Sequence, residues 1–204
     1  MITTLTTFQT GRFKIPNAVA APLGADYTVD IQESIDLYER RILIDALGFD
    51  LYELVADDYP LTGGEPANII DLINGKNYTK DGVTVCWEGL LSSPLLPAYV
   101  YYQFLRDKQD IFTTMGVERP EAVNSVPVSS NERSTRAYIE FLEAYQGGHN
   151  TNPNIIHTSL GVGIDWMVGS NHLVSLYQYL EDNASDYPEK GVFTLHPSIN
   201  TFGI

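Results

Sequence analysis

Apolar residues that recur at helical spacing are the feature that most constrains how this chain can fold. The clearest run lies in residues 30–47, where apolar side chains fall three or four positions apart. The members of this run are Ile31, Ile35, Leu37, Tyr38, Ile42, Leu43 and Leu47. Gly48 follows at the point where a helix end favours a left-handed residue. The pattern predicts a helix over residues 30–47.

Shorter runs of the same kind predict five further helices. They cover residues 50–56, the stretch after Pro66, the run from Pro94 through Asp107, a helix opened by Ser129, and residues 170–180. Ser129 and Glu132 form a capping box, the arrangement in which each residue satisfies a free amide at a helix start. The helix that ends near Asp107 is apolar around most of its circumference, so we expect it at the centre of the protein.

One segment changes from helical spacing to strict alternation. Residues 77–80 and 83–87 flank Asp81-Gly82, a pair typical of the two-residue turn of a β-hairpin. Residues 113–128 are polar and carry no such pattern, which predicts a long connection.

These elements predict a mainly α fold, an antiparallel helical bundle with one β-hairpin at about residues 77–87 and extended terminal arms. We expect an N-terminal arm over residues 1–29, a single helical domain over 30–196 and a tail over 197–204. The residues predicted to form the core are Tyr38, Leu43, Leu47, Leu51, Val100, Phe104, Leu105, Ile139, Phe141 and Leu142.

The charge balance limits the partners of the chain. Twenty-six acidic and 12 basic residues give a net charge of −14 at pH 7. Nucleic-acid binding needs clustered lysine and arginine, and no three basic residues stand together. We therefore expect no sequence-specific DNA binding. No apolar stretch approaches the length of a membrane span, no signal peptide is visible, and the single Cys86 cannot form an intrachain disulfide.

No pattern typical of catalysis or metal binding stands out. The histidines, at 149, 157, 172 and 196, lack the spacing that places two ligands on one helix face. Gly161-Val162-Gly163 has Trp166 where a phosphate-binding loop needs its third glycine. Asp57-Asp58 is a pair of carboxylates of the kind that acid-base catalysis uses, but adjacent carboxylates are ordinary in so acidic a chain. We predict no enzyme activity, no catalytic or metal-ligating residue and no cofactor.

Tyrosines and the chain ends are the remaining candidates for contacts. Tyr99, Tyr101 and Tyr102 sit together in the most apolar helix, which favours a core or subunit interface over a sugar-binding platform. Five residues in the two arms are predicted to contact a partner, namely Phe13, Ile15, Phe202, Gly203 and Ile204. The tail keeps apolar side chains that a solvated end does not need, and Gly203 permits close backbone approach.

Several phrases in fixed order resemble the head-tail connector (adaptor or head-completion) proteins of tailed phages that infect Bacteroidetes, including the crAss-like group. The phrases are Tyr38-Glu39, Leu47-Gly48-Phe49-Asp50-Leu51-Tyr52, Trp87-Glu88-Gly89-Leu90, residues 99–107, Thr113-Thr114-Met115-Gly116-Val117, Asn124-Ser125, Pro127-Val128-Ser129 and the final five residues. Residues 147–169 depart from this family, since they look like a loop insertion between two helices.

The resemblance implies a structural virion protein that forms a ring between portal and tail and lines the DNA exit channel. The implied partners are the portal ring, neighbouring copies of the chain in a ring of about twelve, matched to the portal, and a downstream neck or tail protein. The implied location is the virion neck, with host cytoplasm as the place of assembly, and no membrane is involved. The alternatives are another virion component, such as a tail-completion or head-decoration protein, a hydrolase that uses Asp57 and Asp58, or a cytosolic binding module.

Overall fold

The computed structural model describes residues 1–15, 25–80, 82–107, 111–113, 116–118, 130–147 and 172–197. The helices are α1 (Ala25–Leu47), α2 (Phe49–Asp58), α3 (Ala67–Asn74), α4 (Leu95–Asp107), α5 (Ser130–Tyr145) and α6 (Leu176–Asp182). The strands are β1 (Lys76–Lys80), β2 (Val83–Trp87), β3 (Ile111–Thr113), β4 (Gly116–Glu118) and β5 (His172–Leu173). Short 3-10 turns occur at Leu5–Phe8 and Ala184–Asp186.

The mainly α fold is confirmed, and its centre is a bundle of α1, α4 and α5. The Tyr99 ring lies 4.7 Å from Phe141, and the Tyr102 ring lies 4.6 Å from Tyr138. Because the higher-numbered ring of α4 meets the lower-numbered ring of α5, these two helices run antiparallel. The Tyr38 hydroxyl of α1 donates to the Asp107 carboxylate of α4 over 2.6 Å.

Helix α4 occupies the centre of the bundle, as its all-round apolar sequence predicts. Its buried residues are Leu95, Leu96, Ala98, Tyr99, Val100, Tyr101 and Phe104. The predicted core is confirmed as well, because seven of its ten residues are buried and none is fully exposed. Tyr38, Leu105 and Ile139 are the three that remain partly accessible, at the edges of the helix contacts.

The predicted hairpin is present and packs on the helices. Strands β1 and β2 pair antiparallel from Lys76 opposite Trp87 to Lys80 opposite Val83. Gly82 has a φ of +80°, the left-handed conformation that a two-residue hairpin turn requires. Trp87 anchors the hairpin, since its indole N–H donates to the Leu72 carbonyl oxygen over 3.0 Å and its ring stacks on Tyr179.

The structure differs from the prediction in two regions, residues 113–128 and residues 170–180. Residues 172–173 form β5, which pairs parallel with β2, so the last helix begins only at Leu176. The Ser175 hydroxyl accepts from the Gln178 amide and thereby caps that helix. Strands β3 and β4 pair antiparallel, and Thr113 and all of β4 lie in the predicted polar connection. Three-residue strands are too short to show a period in sequence.

The first helix also begins earlier than predicted. Residues 25–29, assigned to the extended arm by sequence, belong to α1. Only Gly147 of the predicted insertion at 147–169 lies within the described residues.

Candidate functional site

The N-terminal segment, residues 1–15, packs on the bundle through apolar side chains. Ile2, Phe8, Phe13 and Ile15 are all buried, and Phe8 has no exposed surface. The Phe13 ring lies 5.7 Å from the Tyr101 ring of α4. Phe13 and Ile15, which the sequence assigns to a partner interface, thus contact the core of their own chain, and a contact between them and a partner stays a prediction.

A buried carboxylate holds the start of this segment on α1. Glu39 is only 1% exposed, and its Oε1 and Oε2 accept from the backbone N–H groups of Ile2 (2.6 Å) and Thr3 (2.7 Å). A buried charge is stable only when donors replace the water it loses, and hydrogen bonds to charged groups contribute about 1.5–3 kcal/mol each. An ion pair of 3.1 Å between Arg12 and Glu140 joins the segment to α5.

The last described residues, 191–197, form an extended segment that we call the C-terminal strap. Two backbone hydrogen bonds fix its first half to the end of α1. The Gly191 N–H donates to the Leu47 carbonyl oxygen and the Thr194 N–H to the Asp45 carbonyl oxygen, both over 2.8 Å. Carbonyl groups in the last turn of a helix have no partner within the helix, so the strap satisfies them.

Side chains of α5 bind the backbone of the second half of the strap. The Gln146 side chain accepts from the His196 N–H and donates to the His196 carbonyl oxygen, both over 2.8 Å, as a neighbouring strand does. The Tyr145 hydroxyl donates to the Thr194 carbonyl oxygen (2.9 Å) and the Tyr138 hydroxyl to the Pro197 carbonyl oxygen (2.7 Å). Burial raises the pKa of Tyr138 to about 12, so its phenol remains a donor at neutral pH.

Two aromatic side chains of the strap point inward. The Phe193 ring lies 4.5 Å from Tyr145 and 5.0 Å from Tyr177. The His196 ring lies within 5.2 Å of both Phe141 and Tyr145. The strap therefore rests on an aromatic surface at only two positions.

His196 is the one titratable side chain among the described residues of the strap. Burial lowers its pKa, the carboxylate of Asp45 at 3.9 Å from Nε2 opposes that shift, and Arg41 adds to it. The net direction is downward, so the imidazole is neutral at pH 7.

The opposite side of the strap faces solvent. Val192 is 92% exposed and Leu195 is 65% exposed. Gly191 touches Gly48 so closely that a Cβ on Gly191 would stand 2.7 Å from the Gly48 Cα. Glycine at both positions permits this crossing, which brings Val192 and the exposed Phe49 to the same end of the bundle.

A second polar cluster joins the hairpin to α6. The Asp182 carboxylate accepts from the Tyr78 hydroxyl (2.8 Å) and from the side-chain NH₂ group of Gln178 (2.5 Å), and it pairs with the ammonium group of Lys80. Burial, followed by the hydrogen bond to Asp182, raises the pKa of Tyr78. Since each group has a partner within the chain, the cluster stabilises the contact between hairpin and helix.

The described part of the chain brings no other candidate residues from the sequence together. His172 lies in β5, while His149, His157, residues 161–163 and the tail residues Phe202, Gly203 and Ile204 lie outside the described residues. Asp57 and Asp58 stand at the end of α2, the first exposed and the second half-buried. Within the described ranges, no group of three His, Cys, Asp or Glu side chains is placed to hold a metal ion. No described helix is both long and apolar enough to cross a membrane.

One comparison with known proteins gives a match. Residues 43–138 are similar to a family of unknown function, DUF6712, over just under half of the chain. The matched part runs from within α1 to within α5 and contains α2, α3, both predicted hairpin strands and α4. No curated protein and no solved structure matches the chain. The N-terminal segment and the strap lie outside the matched part, so the similarity concerns the helical core alone.

Sequence reasoning missed the groups that hold the two terminal segments. Glu39 carries a detectable signal, because it stands four residues after Ile35 and three before Ile42, on the apolar stripe of α1. A carboxylate on a buried stripe requires donors from elsewhere in the chain. Tyr138 and Tyr145 stand at helical spacing from Phe141 and Leu142, but nothing in the sequence indicates which carbonyl oxygens their hydroxyls bind. Gln146 carries no signal at all.

Proposed function

We propose that this chain is a non-enzymatic structural subunit of a tailed-phage particle, a head-tail connector (adaptor) protein that binds the portal ring and neighbouring copies of itself. In this proposal it lines the DNA exit channel in the virion neck and contacts a downstream neck or tail protein. The ordered phrases that resemble this family are the reason to consider it.

The observation that carries the proposal is the way in which α5 holds the strap as far as Pro197. Pro197 is held on α5 by the Tyr138 hydroxyl, and residues 198–204 follow directly. The described part of the chain therefore ends at a defined point on α5, and the predicted contact residues Phe202, Gly203 and Ile204 follow it in the sequence. A segment that starts from a fixed point loses less entropy on binding than one on a free arm, which favours a docking role.

Contacts between segments that resemble the connector family give further support to the proposal. Tyr38 and residues 99–107 come from two separate phrases, yet the Tyr38 hydroxyl binds Asp107 and its ring lies 6.4 Å from Tyr99. Residues that share a packing unit are expected to recur together in a family with the same fold.

The charge of the chain agrees with a channel that DNA passes without binding. A net charge of −14 repels the phosphate backbone, and the repulsion acts at a range of about 10 Å at moderate salt. A protein that lines an exit channel needs this property, since strong affinity would slow the DNA.

Removal of the tail tests the proposal. Deleting residues 200–204 should leave circular dichroism and melting temperature nearly unchanged while it abolishes incorporation into particles. Burying Phe202 and Ile204 in a partner pocket contributes roughly 3–5 kcal/mol per subunit before ordering costs, and a ring multiplies this by avidity.

A matched pair of point variants sharpens the test. Phe202→Ala should reduce incorporation strongly, whereas Thr201→Ala, one residue away, should leave it intact. If the truncated chain still assembles into infectious particles, the tail is dispensable and the docking role is wrong.

A further inference from the structure

Helix α1 carries an exposed face that combines an apolar side chain with two cations. Leu37 is 60% exposed, and Arg40 and Arg41 follow it by three and four residues, so all three lie on one side of the helix. Asp36, four residues before Arg40, instead accepts from Gln32 over 2.7 Å. In the part of the chain that the structure describes, neither guanidinium has an ion pair.

Among the described residues, Arg40 and Arg41 are two neighbouring cations without a carboxylate at ion-pair distance. Five other described cations, Arg12, Lys76, Lys80, Arg136 and Lys190, do have such a carboxylate. With 26 acidic residues available, two adjacent arginines without a carboxylate partner are poorly explained by stability of the single subunit. They suit a partner that supplies the carboxylates.

Helix α2 carries the complementary face. Phe49 and Leu54 are large apolar side chains that are exposed on this helix. Asp50, Glu53 and Asp57 are also exposed and recur at three-residue and four-residue steps around Leu54. The face on α2 thus combines exposed apolar side chains with charged ones, as the face on α1 does, but its charges are negative.

We propose that copies of this chain associate head to tail, with Leu37, Arg40 and Arg41 of one copy packed on the exposed face of α2 of the next. The two surfaces differ, so the contact is heterologous and repeats from copy to copy, as a ring requires. The existence of the contact does not depend on the phage role, and only its closure into a ring rests on the proposed function.

The contact is weak in free solution because every copy carries the same net charge. Long-range repulsion between chains of −14 opposes association, whereas the local arginine-carboxylate pairs favour it. At about 0.15 M salt the long-range repulsion is screened beyond about 8 Å, while close pairs retain most of their attraction. Sedimentation at this salt and at protein concentrations up to about 1 mM is therefore the sensitive measurement.

Charge reversal separates the specific contact from general repulsion. Arg40→Glu with Arg41→Glu should weaken association about tenfold or more, because like charges then face each other. Asp50→Lys with Glu53→Lys should weaken it by a similar factor, although this variant has a less negative net charge. General repulsion predicts the reverse for the second variant, which should then associate more tightly than the wild type.

The combined variant is the matched control. All four substitutions together restore the net charge of −14 and exchange the two faces, so association should return to within about threefold of the wild type. An equimolar mixture of the two double variants should also associate. Circular dichroism verifies that each variant is folded, which is expected because all four positions are exposed.

Two outcomes would overturn the proposal. One is a wild-type chain that stays monomeric at about 1 mM, and the other is an association that follows net charge and ignores the exchange of faces. The test is independent of tail docking, because the tail deletion is assayed in particles and the charge exchange in purified protein. Either proposal can therefore fail while the other holds.

Discussion

The two ends of the chain both cross the helical core, yet they are held by different forces. Four buried apolar side chains and the carboxylate of Glu39 hold the N-terminal segment. The strap is held by six hydrogen bonds and only two inward rings, and most of its other side chains face solvent. The N-terminal segment therefore contributes four side chains to the hydrophobic core, while the strap lies on the surface of the core and covers it with two rings.

This difference has consequences for stability and motion. Removing buried apolar area costs more free energy than removing hydrogen bonds that water can replace. Segments with few buried contacts open locally, whereas core segments open only when the whole domain unfolds. We expect the strap to open without loss of the fold and the N-terminal segment to unfold with it.

The largest expected effect is in the N-terminal segment. Phe8→Ala removes a fully buried ring and should lower the free energy of unfolding by about 3–5 kcal/mol. The matched control is Phe49→Ala, because Phe49 is about half exposed and should change stability by less than about 0.5 kcal/mol. Urea denaturation followed by circular dichroism measures both, and equal losses would show that the segment is not part of the core.

An intermediate loss of stability is expected when the Glu39 carboxylate is replaced. Glu39→Gln preserves shape but places an amide NH₂ group against one of the two backbone N–H donors, at a cost of about 2 kcal/mol. Glu33→Gln, on the exposed side of the same helix, should be nearly neutral. Thermal melts compare the two variants, and a neutral Glu39→Gln would remove the carboxylate from the account of the N-terminal segment.

A smaller effect is expected in the strap. Tyr145→Phe leaves the Thr194 carbonyl oxygen without its donor and should cost about 1 kcal/mol, or less if water enters. Amide exchange of Thr194 should accelerate more than global stability falls. Tyr52→Phe, at a half-buried ring of α2, serves as the control. A loss of global stability above about 2 kcal/mol in Tyr145→Phe would place the strap in the core.

The smallest effect is expected from pH. The folded-state pKa of His196 lies below its unfolded value, so its contribution to stability is present above the ordinary histidine pKa, about 6.5, and is lost as pH falls through the folded value. Exchange of the Gly191 and Thr194 amides, corrected for the intrinsic rate, should become faster below pH 6. His196→Gln should abolish this dependence, and a strap that tightens in acid would show that attraction to Asp45 dominates.

Prediction from sequence was most accurate where the spacing of apolar residues directly reflects which side chains are buried. The α4 pattern is apolar on all sides, and this alone places the helix at the centre of the bundle. Asp81-Gly82 likewise determines the hairpin turn locally, without information from the rest of the fold.

Prediction failed where a structure depends on distant partners. Strand β5 exists because two residues pair with β2, 87 positions earlier, and no local pattern encodes that pairing. The strap is extended because Gln146 and two tyrosines bind its backbone, and hydroxyl and amide groups do not reveal their acceptors in sequence. Phe13 and Ile15 were predicted to contact a partner, whereas the structure packs them on the core of their own chain, because an apolar side chain fits its own core or a neighbour equally well.

The measurement that tests this account most directly is native-state hydrogen exchange of single amides at pH 7, with and without low urea. The Ile15 amide, bonded to the Phe8 carbonyl oxygen over 2.9 Å, should exchange only by global unfolding, with a free energy equal to that of the core. The Gly191, Thr194 and His196 amides should share one lower opening free energy that urea hardly changes. Equal opening free energies at both ends of the chain would contradict the division into an integral N-terminal segment and a surface strap.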